Sequence, residues 1–181
     1  MGSTFKYIED GAMFPCGGTR CHHCERDDIP IYNFRGKIVN PERAKNPQLA
    51  TDEPEVSELC ADCILSGNIR KGDDEISRIH AIAKVRSPDL EIAIENYHAI
   101  PHIPLMMQDA DWPMCCDDWC EFTGIPQDYD ASALVPSNHQ YWDHGPAKWG
   151  FDFELRPESL REVSAFRCLE CDQMYFIWQP T

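Results

Sequence analysis

Three Cys-x-x-Cys pairs constrain this chain more than any other feature: Cys21-His22-His23-Cys24, Cys60-Ala61-Asp62-Cys63 and Cys168-Leu169-Glu170-Cys171. At that spacing two sulfurs of one tight turn reach adjacent vertices of a tetrahedron around zinc, and two such turns close the site. Cys21, Cys24, Cys60 and Cys63 are therefore expected to hold one Zn2+. The long segment between the pairs is no obstacle. Each doubling of a loop costs only about 0.6 kcal/mol in closure entropy, against roughly 10 kcal/mol or more from a structural zinc.

The third pair needs two further ligands, and the stretch "DWPMCCDDWCEFTG" at 111–124 is their expected source. Cys116 and Cys120 are four residues apart and face the same way on a helical turn, whereas Cys115 points roughly 100° away. The expected second zinc set is Cys116, Cys120, Cys168 and Cys171, with Cys115 and Cys120 as the alternative pair. Cys16 has no equally placed partner and reads as a spare thiol. His22 and His23 read as spectators inside a site that four cysteines already fill. Pro101 interrupts any helix that would align His98 with His102, and the His139, Asp143 and His144 group has no nucleophile or glycine-rich loop beside it.

Zinc is preferred to disulfides on the grounds of compartment. The start, Met1-Gly2-Ser3-Thr4-Phe5-Lys6, has no charged-then-apolar run, and no segment approaches about eighteen apolar residues in succession. The expectation is a soluble cytoplasmic protein without a membrane partner, and the cytosol keeps thiols reduced. Four thiolates saturate zinc and leave no position for water, so both sites are expected to build structure rather than to catalyse.

Charge narrows the partners. The 181 residues include 31 acidic and 16 basic side chains, a formal charge of -15, with the acids clustered as in "ERDD", "TDEPEVSE", "GDDE" and "CDDWCE". Nucleic-acid binding needs Lys and Arg against phosphates, so such a surface disfavours it and favours a basic partner. Each all-cysteine zinc site sets four negative sulfurs against two positive charges and deepens the acidity.

The expected fold class is α+β, with small β-rich zinc-knuckle elements and a few helices. Residues 1–181 read as a single domain, with two zinc-nucleated lobes, 1–75 and 104–181, as the alternative. "FKYI" and "IPIYNFRGKIV" read as strands and the polar stretch 40–58 as a surface loop. "GDDEISRIHAIAKV" predicts a helix with Ile76, Ile79 and Ala83 on one face and acids at its start. "SPDLEIAIENYHAI" predicts a helix with Ser87 as N-cap and Pro88 at its first position, although alternation through Leu90, Ile92 and Ile94 also permits a strand. A short helix is expected in "PESLREV", and two strands flank the last Cys-x-x-Cys in "SAFRCLECDQMYFIW".

The motifs together resemble the CbrC-like family of small cysteine-rich bacterial proteins, whose name is tied to tolerance of a nuclease colicin. The likeness covers most of the chain. Its first half rests on Phe5-Lys6-Tyr7, the Cys21/Cys24 pair and "CADCILSG"; its centre on Gln108, Trp112, Cys116, Cys120, Phe122 and Gly124; its end on "FRCLEC". By this resemblance Cys116 takes the family's cysteine position, and Cys115 stands where the family usually has His. Met107 replaces a usual tryptophan, and the region 125–160 is longer and more aromatic than the family's.

Resemblance and charge together imply an immunity or antitoxin protein that binds and inhibits a basic nuclease toxin. Asp117, Asp118, Asp128 and Asp130, with Trp119 and Tyr129 as aromatic anchors, are its expected contacts. A zinc-ribbon protein with another binding role is the runner-up, followed by a thiol-redox or hydrolytic enzyme.

Overall fold

Strand β1 (Ile31–Ile38) forms the centre of a three-stranded antiparallel sheet, flanked by β2 (Glu55–Cys60) and β3 (Ile69–Lys71). This computed structural model describes residues 2–46, 48–49, 52–103, 112–126, 139–141 and 163–178. Asn33 pairs with Glu58 but Gly36 with Val56, so β1 carries an extra residue and bulges. The bulge turns Phe34 into the core. A Cβ at position 36 would overlap the Arg70 carbonyl oxygen, so only glycine fits there.

The stretch expected to be a loop contains helix α1 (Pro41–Lys45), capped by Asn40 accepting from the Glu42 amide at 3.0 Å, and then β2. The β2 signal is diluted because "EVSELC" offers only Val56 and Leu59 as large apolar residues, yet these and Cys60 are its buried positions. Helix α2 (Ala61–Leu65) follows directly.

Helix α3 (Asp73–Arg86) forms as predicted, with Ile79, Ile82 and Ala83 buried, three acids in its first turn and Lys84 and Arg86 in its last. Helix α4 (Leu90–His98) starts later than predicted. Asp89, not Ser87, is its cap, accepting from the Ile92 amide at 3.1 Å, and Pro88 precedes it. Ala93 and Tyr97 are buried while Ile92 is 58% exposed, a helical distribution that rules out the strand alternative.

The expected strand at "FKYI" is not formed. Phe5, Tyr7 and Ile8 are buried, but the backbone turns and makes a single bridge from Ile8 to Phe122. Beyond residue 111, β4 (Met114–Cys115) and β5 (Asp118–Trp119) form a hairpin. A second sheet has the order β6 (Glu121–Gly124), β8 (Val163–Arg167), β9 (Met174–Trp178) and β7 (His139–Tyr141), with β7 parallel to β9 and the other pairs antiparallel. Strands β8 and β9 are those expected around the last Cys-x-x-Cys. The helix expected at "PESLREV" falls on 157–162, outside the described residues, and Val163 already belongs to β8.

A buried apolar cluster runs from Phe5 to Ile177 and includes Phe34, Ile79, Trp112 and Phe166. A chain of rings links its parts: Tyr97 to Trp119 at 5.4 Å, Tyr97 to Trp112 at 6.1 Å, Trp112 to Phe166 at 5.1 Å and Phe166 to Phe122 at 5.5 Å. Both indoles satisfy their N–H groups, Trp112 donating to the Cys120 carbonyl at 2.8 Å and Trp119 to the Ala93 carbonyl at 2.7 Å.

Glu121 is completely buried and accepts from Arg167 Nη2 at 2.7 Å, while the same nitrogen donates to Glu9 at 3.1 Å. Removing the cation takes the charged partner from a buried carboxylate. We expect Arg167→Met to lower stability by about 3 kcal/mol, seen as a reduced urea midpoint, and Arg167→Met/Glu121→Gln to recover part of the loss.

Candidate metal centres

Two groups of four sulfurs converge in the fold, Cys21, Cys24, Cys60 and Cys63 in one and Cys115, Cys116, Cys168 and Cys171 in the other, with all Sγ atoms of a group within 4.8 Å of one another. Zn–S bonds of about 2.3 Å in a tetrahedron require sulfurs roughly 3.8 Å apart. Cys24 to Cys60 is 3.8 Å, Cys115 to Cys116 is 3.9 Å and Cys115 to Cys171 is 3.6 Å. These separations fit a metal-sized centre and exceed a disulfide bond, and all ten cysteines are free thiols. Two tetracysteine groups thus suit two zinc ions, and the thiol chemistry matches zinc's preference for soft sulfur ligands.

Each centre is built from a knuckle and a second, different element. In the first knuckle the Cys21 amide donates to the Arg26 carbonyl at 2.9 Å and the Glu25 amide to the Cys21 carbonyl at 3.0 Å. In the other, the Cys168 amide donates to the Gln173 carbonyl at 2.9 Å and the Asp172 amide to the Cys168 carbonyl at 3.2 Å. The residue after each pair, Glu25 or Asp172, takes a positive φ, which closes the turn.

The remaining ligands come from a helix start and from a hairpin tip. Cys60 caps α2 and Cys63 lies in its first turn, so one helical turn brings both sulfurs to the first knuckle. In the second centre, Met114 pairs with Trp119 and Cys115 with Asp118, leaving Cys116 and Asp117 as a two-residue turn with φ of 48° and 67°. Positive φ at both positions is the hairpin geometry whose twist matches the flanking strands.

This hairpin corrects the second ligand set. Cys116 belongs to it as expected, but Cys115 takes the place assigned to Cys120. The helical turn that would have aligned Cys116 with Cys120 does not exist. Cys120 follows β5 and is fully buried, its thiol held protonated by burial and then by the nearby Cys168, Cys115 and Cys171 sulfurs. The hairpin had a signal in the sequence: Asp117 tolerates the left-handed region, and "CD" stands between residues that pair across a short turn. Cys16 joins neither group; its amide donates to the Ile31 carbonyl at 2.8 Å.

The ligand environments favour ionisation of one thiol in each centre. Burial opposes ionisation of Cys21, but the Cys24, Cys60 and His23 amides outweigh it and bring the thiol down to about 6. Cys171 is lowered by the Gln173 amide and by its neighbouring thiols. Burial holds Cys60, Cys63 and Cys168 up, and hydrogen bonds from Cys171 and Cys115 push Cys116 up to about 12. His23 Nδ1 lies 3.3 Å from Cys63 Sγ, a contact to a ligand rather than to the metal.

The expected contact residues separate. Asp117 is exposed at the hairpin tip. Asp118 is instead engaged by Lys6 Nζ and the Tyr7 hydroxyl, each at 2.7 Å. Trp119 is 1% exposed and cannot be a surface anchor, because its ring completes the core beside Tyr97. Asp128, Tyr129 and Asp130 lie outside the described residues, as do Asp143 and His144. His98 and His102 are kept neutral by burial first, with values down to about 4, and His98 Nδ1 accepts from the Lys71 amide at 3.1 Å.

No family model matches the chain, and neither a curated protein nor a solved structure resembles it significantly. No helix among the described residues is long and apolar enough to cross a membrane.

Two measurements check the centres. Native mass spectrometry should find two zinc ions per chain, one in Cys116→Ser, and two in Cys120→Ser. Zinc uptake at pH 7 should release about three protons at the first centre, because Cys21 is already largely ionised there whereas the raised Cys60 and Cys63 thiols must lose protons to the metal. Affinity should therefore rise with pH, and metal should be lost as pH falls; pH-independent binding would contradict thiolate ligation.

Proposed function

We propose that this chain is an immunity or antitoxin protein: an acidic, zinc-stabilised surface that docks on a basic nuclease toxin and covers the cations the toxin presents to phosphate. The observation that carries the reading is charge. Against a formal -15 for the whole chain, the first knuckle exposes Glu25, Asp27 and Asp28, the adjoining α2 exposes Asp62, and the second centre exposes Asp117, Glu170 and Asp172. Zinc-bound thiolates lie among these acids and add to the field. A nuclease must display Lys and Arg, so an acidic face is complementary to its substrate surface and speeds association by steering. The resemblance to the CbrC-like family, with its tie to a nuclease colicin, points the same way.

Saturated all-sulfur centres suit a binding protein, since their metal offers no coordination position to a substrate. The test is co-expression with any nuclease effector encoded beside the gene. We expect a stable complex, protection of cells and loss of nuclease activity, and a salt-dependent association rate. Asp62→Lys/Asp117→Lys should weaken that complex about tenfold or more while both zinc ions are retained. No complex, no protection and full nuclease activity would refute the proposal.

A further inference from the structure

The two sulfur groups differ in what shields them. In the first, Cys21, Cys60 and Cys63 are buried and only Cys24 is exposed; in the second, only Cys168 is buried, Cys116 and Cys171 are exposed and Cys115 is half-buried. The difference follows from the elements that carry them. Cys60 ends a strand paired with β1, and Cys63 lies on a helix whose next residue, Ile64, is fully buried, so the core walls that centre. Cys115 and Cys116 instead sit at the tip of a hairpin whose two-residue strands form a sheet of their own, and Cys171 sits in the turn of the last knuckle.

A cysteine that ligates zinc is held as a thiolate, and a thiolate meets oxidants in proportion to its exposure. The second centre thus offers nucleophilic sulfur to solvent where the first offers little. Geometry selects which sulfurs can then join. Cys115 and Cys116 are neighbours in sequence, and a bridge between adjacent residues is strained. Cys115 Sγ lies 3.6 Å from Cys171 Sγ, across 56 residues of chain, and reaching a disulfide needs a closure of about 1.5 Å. Cys120 stays apart from this pair. It is fully buried, with its amide donating to the Pro113 carbonyl at 2.9 Å and its carbonyl accepting from the Trp112 indole at 2.8 Å.

We propose that the second centre is a site of oxidation by hydroperoxides, at which Cys115 and Cys171 form a disulfide and the metal leaves, while the first centre keeps its zinc. The exposed Cys171 thiolate attacks the O–O bond, takes one oxygen as a sulfenic acid and expels the other as hydroxide or alkoxide. The Cys115 thiolate then displaces the sulfenic oxygen and the S–S bond forms. With hydrogen peroxide the two sulfurs give up two electrons, and two protons complete two waters. Cys116 and Cys168 each take up a proton as zinc departs. The bridge joins the hairpin tip to the knuckle between β8 and β9, the same elements the metal joins, so oxidation removes the centre's negative charge without cutting that tie. The inference rests on the sulfur geometry and does not depend on toxin binding.

The test treats the zinc-loaded full chain with hydrogen peroxide and follows metal release with a chromogenic zinc chelator, alongside native mass spectrometry and peptide mapping. We expect one zinc ion to leave about tenfold or more faster than the other. At that point the map should show a Cys115–Cys171 bridge, with Cys21, Cys60 and Cys63 still free for alkylation after unfolding. Dithiothreitol with added zinc should restore both ions. Cys120→Ser should release zinc and form the same bridge at an unchanged rate. No release, equal release from both centres, earlier release from the Cys21 group, a bridge that omits Cys115 or Cys171, or a lost response in Cys120→Ser would overturn the proposal.

Discussion

Thiolate pairs drawn together from distant parts of the chain are the constraint on which the remaining architecture rests. Cys24 and Cys60 are 36 residues apart and Cys115 and Cys171 are 56 apart, yet each pair ends within 4 Å. Ionised thiols at such separations repel, and a doubly charged cation turns the repulsion into a clamp whose strength far exceeds the closure entropy of either loop. The clamp also explains a strained position. Cys116 is not a residue that favours positive φ, at a cost on the order of 1 kcal/mol, and metal ligation offsets that cost at the hairpin tip.

The clamps and the core support each other. The first knuckle is tied to β2 and α2, and the second to the hairpin that places Trp119 beside Tyr97. Trp112 then bridges Tyr97 to Phe166, so ring packing continues into the second sheet and down to the knuckle between β8 and β9. Loss of either metal would loosen packing well away from the sulfurs.

Much of this was legible in the residues. The Cys21/Cys24 and Cys60/Cys63 group, the α+β class, α3 and the strands around Cys168 and Cys171 follow from spacing and periodicity, which act locally. The failures share a cause. Strand β2 is recognisable only through its pairing with β1, "FKYI" is buried by tertiary contact without a ladder, and Cys115 replaces Cys120 because hairpin pairing overrides the helical spacing of Cys116 and Cys120. Trp119 stands among acids in the sequence but points into the core, since alternation in a two-residue strand sends Asp118 and Trp119 to opposite faces.

The decisive measurement is zinc K-edge X-ray absorption on the fully loaded protein. Two centres of the kind described here give a single shell of four sulfurs per zinc at about 2.3 Å, with no lighter ligand. Nitrogen or oxygen in that shell, from a histidine or a water, would show an unsaturated metal and would replace a structural clamp with a site able to do chemistry.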